Sequence, residues 1–332
     1  MSAKGAVDAA GSASVQAVVT AGGAQTARVM QRVEARMAAL VQSRGGILAR
    51  HGRDTVSAGG KRLRPLLVCI ASGVPVAESD ALVRAAVAVE LVHAATLVHD
   101  DVIDGADLRR GRPTVVANGG RLMALATGDF LFSRAFAELA AGGTIEPVQA
   151  LSDAACSLAV GELMQREDAW NVGVSLERYL ERCRLKTGVL FRAACELGAL
   201  AGGHGVEGLG HFGECIGVAF QLLDDVLDVT GSPEQTGKPR GADLLDGTVT
   251  LPLIEARERD ASLGQLDLRA VCTPEQAARV CDRIAATGAL ETARERALAL
   301  VADAKAGLPA SLSDEQRAAL ELVADGVVDR YS

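Results

Sequence analysis

Leu97-Val98-His99-Asp100-Asp101-Val102-Ile103-Asp104 closes a long apolar stretch, and Gln221-Leu222-Leu223-Asp224-Asp225-Val226-Leu227-Asp228 closes another. Both runs contain Asp-Asp-x-x-Asp. Residues four apart share a helix face, so Asp100 and Asp104 point one way, and Asp224 and Asp228 do the same. Leu91, Val92, Leu97 and Val98 precede the first motif, and Val218, Phe220, Leu222 and Leu223 precede the second. The carboxylates therefore extend helices that should be buried, and buried carboxylates need partners. Six of them packed together would repel one another without cations. Hard oxygen donors at this spacing suit Mg²⁺, which takes one or two carboxylates and fills its octahedron with water and phosphate oxygens. The pair of motifs predicts Mg²⁺-dependent chemistry on a diphosphate.

Working outward, the chain reads as all-α, with about ten or more helices. Val29, Val33, Met37, Leu40 and Val41 recur at helical spacing. Asp80 reads as the N-cap of an apolar helix that ends at Asp104. A basic loop follows to Pro113. Further helices are expected near residues 121–141, 147–167, 175–201, 207–230, 248–259, 274–286, 289–306 and 313–330. Gly142-Gly143, Gly202-Gly203 and Ser232-Pro233 separate several of them. No sustained alternation marks a strand. Residues 1–25, rich in Ala, Gly, Ser and Val, read as a mobile extension ahead of one domain over 26–332.

Composition agrees. The 332 residues are 49% hydrophobic but only 3% aromatic, which favours packed helices over sheets. A net charge of −8 argues against nucleic-acid binding and against docking on anionic lipid. Cysteines 69, 156, 183, 195, 215, 272 and 281 form no Cys-x-x-Cys pair, so they read as free thiols in a reducing cytoplasm. No signal-peptide pattern opens the chain. No uninterrupted apolar run nears the roughly 20 residues of a membrane span, so no integral membrane segment is expected.

Local basic clusters stand out against the acidic whole. Gly60-Lys61-Arg62-Leu63-Arg64-Pro65 and Arg109-Arg110-Gly111-Arg112-Pro113 combine Arg or Lys with backbone-fixing Gly and Pro. Arg reads phosphate oxygens as a fork and Lys as a point charge. Two such clusters beside two metal motifs suit a site for two anionic groups. His93 lies seven residues before Asp100, on nearly the same face. Lys186, Thr187 and Gln221 are polar positions inside apolar helices, and Lys238 sits in a loop able to close over an anion.

Together with Gly128-Asp129, Gly161-Glu162 and Thr250-Leu251-Pro252, these motifs resemble those of the trans-isoprenyl (polyprenyl) diphosphate synthase family. The resemblance runs from about residue 26 to the C-terminus. It implies the isoprenoid synthase fold, a single all-α domain around a central cavity, and a homodimer. It implies several Mg²⁺ ions on Asp100, Asp104, Asp224 and Asp228, bound to an allylic diphosphate that Arg109, Lys186 and Lys238 also hold. Lys61, Arg64, His93 and Arg110 would hold isopentenyl diphosphate. Thr187 and Gln221 would face the allylic cation with oxygen dipoles. One departure is clear: Thr248 stands where the family commonly has a lysine, which removes one cationic contact to the allylic diphosphate.

In this family the growing tail runs beside the helix that ends in the first motif. Thr96 and Ala95, four and five residues before Asp100, lie roughly 6–7.5 Å up that helix. Neither is a bulky aromatic, and Val92 and Ala88 also leave room, with Phe132 and Phe136 as candidate floors. A long all-E product of about six to ten isoprene units (about C30–C50) is expected by analogy, with geranylgeranyl diphosphate as the alternative. A class I terpene cyclase would not need Lys61, Arg64 and Arg110. A non-catalytic subunit would be expected to have lost an aspartate motif.

Overall fold

The computed structural model describes residues 23–42, 45–57, 62–73, 79–109, 111–233 and 238–329. Its helices are α1 (Gly23–Gln42), α2 (Gly46–Ser57), α3 (Leu63–Ala71), α4 (Asp80–Asp104), α5 (Val115–Ala140), α6 (Glu146–Asp168) and α7 (Leu176–Cys183). A π-helical segment, Arg184–Gly188, links α7 to α8 (Val189–Gly202). Then come α9 (Glu207–Thr230), α10 (Ala242–Leu245), α11 (Leu251–Arg257), α12 (Ala261–Gly264), α13 (Pro274–Ala286), α14 (Ala289–Ala306) and α15 (Asp314–Asp329). Most of the expected extension, residues 1–22, lies outside the described residues, as do Lys61 and Arg110.

Helix α4 is the organising element. It packs against α5, α8, α3 and α1, and Leu82, Val87, Val89, Leu91 and Val92 are fully or almost fully buried along it. Although Arg84 and Glu90 interrupt its apolar run, α4 is by length and composition apolar enough to cross a membrane, with a mean hydropathy of 1.7. Yet 72% of that stretch is buried inside the fold, so its apolarity serves the core. Its cap also differs from expectation. The Ser79 hydroxyl, not Asp80, accepts from the Leu82 amide at 3.1 Å. Asp80 takes the first helical position and pairs with Arg84 and Arg36 at 2.6 and 3.0 Å. Gly105, at φ 61°, ends the helix.

The basic loop after α4 is partly ordered as a ribbon. β1 (Leu108–Arg109) pairs antiparallel with β2 (Arg112–Pro113). Two residues per strand are too few to show alternation in sequence. Helix α5 starts at Val115, ahead of the expected 121, because the Thr114 hydroxyl caps the Ala117 amide. Gly120 then breaks the helical backbone, which is why the stretch before it reads as loop. The helix expected over 248–259 shrinks to α11, and the short α10 precedes it.

Behind the site, α9 packs against α8 and α14. Tyr179, Phe191 and Phe212 are the largest buried rings. Arg182, itself buried, donates to the Val249 carbonyl at 2.5 Å and pairs with Asp168 at 3.4 Å. That contact ties α7 to the strand of chain entering α11.

Candidate active site

The end of α4 forms one acidic wall. Asp100 and Asp104 share a face, one helical turn apart. Burial raises the Asp100 carboxyl to about 6, opposed by the charge of Lys186. The middle aspartate, Asp101, turns inward and accepts from Arg109 at 2.7 Å. Asp104 accepts from Arg166 at 2.5 Å. Lys186 pairs with Glu162 at 2.5 Å and donates to Gln165 at 3.0 Å. Three cations thus already stand among these acids.

His99 completes this wall on its far side. Its ring stacks on Phe132 with centroids 5.8 Å apart and lies 3.5 Å from Asp129. A Cβ at residue 128 would fall 2.1 Å from the His99 ring, so glycine there leaves the room that the ring takes. Gly161 plays the same part on α6: a Cβ there would lie 2.7 Å from the Lys186 amide.

The end of α9 forms the second wall. Here the middle aspartate, Asp225, is 3% exposed. It accepts from the Tyr179 hydroxyl at 2.6 Å and from Gln221 Nε2 at 2.7 Å. Asp228 accepts from the Asp243 amide at 3.3 Å. Burial, compounded by mutual repulsion among these acids, raises Asp228 to about 7 and Asp225 and Asp243 to about 8. Lys238 opposes this at Asp228 and Asp243, and its field reaches Asp101 on the first wall too. Asp246 feels the first wall too, its carboxyl raised by burial and by the charge of Asp104.

Thr187 and Gln221 meet. The Thr187 hydroxyl donates to Gln221 Oε1 at 2.9 Å. The amide is oriented by its other end, since Nε2 must face the Asp225 carboxylate. The π segment makes this possible. With one residue more in its turn than an α-helix, it carries Lys186 toward Glu162 on α6 and Thr187 toward α9.

The residues expected around a second diphosphate divide. His93 lines a cavity of about 240 Å³ with Arg62, Glu90, Leu97, Asp101 and Arg109. Arg64 is not among its lining residues; its guanidinium lies 4.4 Å over the Phe191 ring. Lys61 and Arg110 lie outside the described residues. Arg62 has a left-handed backbone (φ 48°) and pairs with Glu90 at 2.7 Å and Glu34 at 2.6 Å. Its desolvation disfavours the charge, and Glu90 and Glu34 more than restore it.

Of the chain-length positions, Ala95 is fully buried. Thr96 is half-buried and back-bonds to the His93 carbonyl at 2.8 Å. The Phe132 ring is engaged by His99.

Sequence reading missed Arg166, Asp243, Asp246 and Tyr179 as partners of the motifs. A signal existed for Arg166, which follows Glu162 by one helical turn. Asp243 and Asp246 sit close in sequence after Lys238, a hint of an acidic loop. Nothing local marks Tyr179, whose partner is 46 residues away.

The residues fit a divalent cation. Asp100 and Asp104, and Asp224 and Asp228, offer hard oxygens in pairs, and the burial of Asp100 and Asp228 favours a compensating positive charge.

The sequence matches the polyprenyl synthetase family over residues 46–284. It is 44% identical over 227 residues to heptaprenyl diphosphate synthase component 2 of Geobacillus stearothermophilus, spanning 68% of this chain and 71% of that protein. It is 35% identical over 292 residues to geranylgeranyl diphosphate synthase of Methanosarcina mazei, spanning 85% and 90%. The structure of a polyprenyl synthase from Caulobacter crescentus, complexed with calcium and isoprenyl diphosphate, matches at TM-score 0.85 and 34% identity. It covers 96% of this chain and 98% of that one.

Proposed function

The chain belongs to the polyprenyl synthetase family, with its all-α isoprenoid synthase fold and trans-prenyltransferase activity, and on that premise we propose that it uses Mg²⁺ to build a long all-E polyprenyl diphosphate from isopentenyl diphosphate and an allylic diphosphate. The observation that carries the reading is the pair of aspartate walls with Arg109, Lys186 and Lys238 acting on them.

In this reading Asp100, Asp104, Asp224 and Asp228 hold Mg²⁺, which supplies charge neutralisation to the leaving diphosphate. Arg109, Lys186 and Lys238 give up their carboxylate partners to bind the same group. The allylic C–O bond then breaks, because its departing charge is met by fixed cations. Thr187 and Gln221 turn oxygen dipoles toward the carbocation, held in place by Asp225 and Tyr179. Lys61, Arg64, His93 and Arg110 position isopentenyl diphosphate so that its terminal alkene attacks the cation. Proton loss to the departed diphosphate leaves a product five carbons longer. The apolar surroundings keep water from the cation.

Product length is about six to ten isoprene units in this proposal. It is supported by the half-buried Thr96, which is no bulky aromatic, and by the likeness to a heptaprenyl synthase component. The likeness to a geranylgeranyl synthase keeps a twenty-carbon product as the second reading. A homodimer belongs to the proposal too, supported by exposed Leu122 and Leu125 on α5 and Val160 and Leu163 on α6.

The test is to incubate the protein with Mg²⁺, isopentenyl diphosphate and each allylic primer, and to size the dephosphorylated products. Products of thirty carbons or more are expected, and a dominant twenty-carbon product overturns the long-chain proposal. Thr96→Phe should shorten the product while sparing the first condensation. It is a better probe than Ala95→Phe, because overpacking a fully buried alanine threatens the fold. Turnover of an allylic diphosphate alone into a cyclic hydrocarbon would favour a cyclase.

A further inference from the structure

We propose that His211, Cys215 and Asp303 form a binding site for a borderline-soft divalent cation, zinc above all, that clamps α14 to α9 away from the diphosphate chemistry. His211 and Cys215 are one turn apart on α9, and Asp303 reaches them from α14. His211 Nε2 lies 3.0 Å from Asp303 Oδ2. Cys215 Sγ lies 3.6 Å from His211 Nε2 and 3.7 Å from Asp303 Oδ2. Zinc holds N, O and S ligands at about 2.0–2.3 Å in a tetrahedron, which sets the ligand atoms about 3.3–3.6 Å apart. The three atoms already stand near that spacing. Among the described residues this is the one His/Cys/Asp/Glu group whose ligand atoms all lie within 4.8 Å of one another.

The donor set separates this site from the aspartate walls. Nitrogen and sulfur favour zinc over magnesium, which prefers oxygen alone. The two sites should not compete at ordinary Mg²⁺ levels. Cys215 is the buried anchor at 7% exposure. The His211 and Asp303 side chains are 48% and 62% exposed, so the metal could enter from solvent and keep a water as its fourth ligand. Binding would release the Cys215 thiol proton to solvent. From His211 to Asp224, along the same helix, is about 20 Å. The clamp would therefore fix the far end of the helix that carries the second wall without touching substrate.

The test uses the full chain, saturated with Mg²⁺, and Co²⁺ as the probe. One equivalent of Co²⁺ should produce a thiolate-to-metal charge-transfer band, which carboxylate sites cannot give, and Zn²⁺ should abolish it. Zn²⁺ should also raise the melting temperature. Cys215→Ser should remove the band and weaken Zn²⁺ binding by more than the ~10–100-fold that loss of an outer-shell partner costs. Asp303→Asn changes an exposed side chain and keeps the fold, so it guards against an unfolded Cys215→Ser. It should weaken Zn²⁺ binding in the same sense, and both variants should keep Mg²⁺-dependent turnover. No band overturns the proposal. A band that survives Cys215→Ser also overturns it, by assigning the thiolate to exposed Cys156 or Cys272.

Discussion

Asp101 and Asp225 occupy the same place in two copies of one motif, yet they are satisfied differently. Asp101 accepts from the Arg109 guanidinium, and Asp225 from a tyrosine hydroxyl and a glutamine amide. The same contrast extends to the whole of each wall. The α4 wall is met by Arg109, Arg166 and Lys186, whereas at the α9 wall Lys238 opposes a cluster that includes Asp225, Asp228 and Asp243. The first wall has more of the protein's own cations around it, though burial still raises Asp100. At the second, burial and mutual repulsion raise the carboxyls further. Identical motifs thus need not do identical work; their second partners decide.

The largest effect should come from removing either wall. Asp100→Ala and Asp224→Ala should each lower turnover by about 10²–10³-fold or more, the cost of losing one strong electrostatic stabiliser, with helix content by circular dichroism unchanged. Near-normal activity in one of them would mean that a single wall suffices, and the comparison would fail at its base. EDTA should abolish activity in the unaltered protein.

Next comes pH. In the folded, metal-free chain Asp225, Asp228 and Asp243 hold protons up to about 7 or 8, while unfolded aspartate loses its proton near 4. Between about pH 4 and 8 the native state binds more protons than the unfolded one, so stability falls as pH rises. The metal-free melting temperature should therefore drop by on the order of several °C across the upper part of that window. Saturating Mg²⁺ should flatten the slope, and Asp243→Asn should reduce it without metal. A metal-free profile that is flat from pH 6 to 8 would remove the proton from the account of the second wall.

A gentler change tests what the second wall lacks. The Thr248 amide donates to the Asp243 carbonyl at 2.8 Å, so Thr248→Lys would add a cation beside the acidic cluster. It should lower the KM for the allylic diphosphate a few-fold and leave that for isopentenyl diphosphate unchanged. The smallest effect is expected on the first wall. Arg166 and Asp104 are 40% and 44% exposed, and such a pair is worth about 0–1 kcal/mol. Arg166→Gln should tighten Mg²⁺ by at most about 5-fold, measured from activity against Mg²⁺ concentration. A larger gain would show that the first wall is held back by its own cation more strongly than its exposure allows.

Some of this architecture was readable and some was not, for physical reasons. The helices of Asp80–Asp104 and Glu207–Thr230 announce themselves because apolar residues and carboxylates are contiguous there. The glycines at 128 and 161 could be noted as parts of motifs, but their purpose, admitting the His99 ring and the Lys186 backbone, depends on neighbours far along the chain. The β1–β2 ribbon is shorter than the period that would reveal it. Ser79 outcompetes Asp80 as the cap through one hydrogen bond, a choice that composition does not make. The bilayer-length apolarity of α4 becomes intelligible once its neighbours cover it.

The π-helical turn at Arg184–Gly188 can be regarded as a single surplus residue in the reading frame of a long helix. On its upstream side Tyr179 and Arg182 are anchored to Asp225, Asp168 and the Val249 carbonyl. On its downstream side Leu190, Phe191 and Leu197 are sealed in the core. Excising one residue would restore ordinary α-helix but turn one flank about 100° against the other, and neither flank is free to follow. This stretch should therefore accept many spellings but only one length. Across a library of variants, single-residue deletions here should be purged far more strictly than substitutions at Arg184 or Leu185.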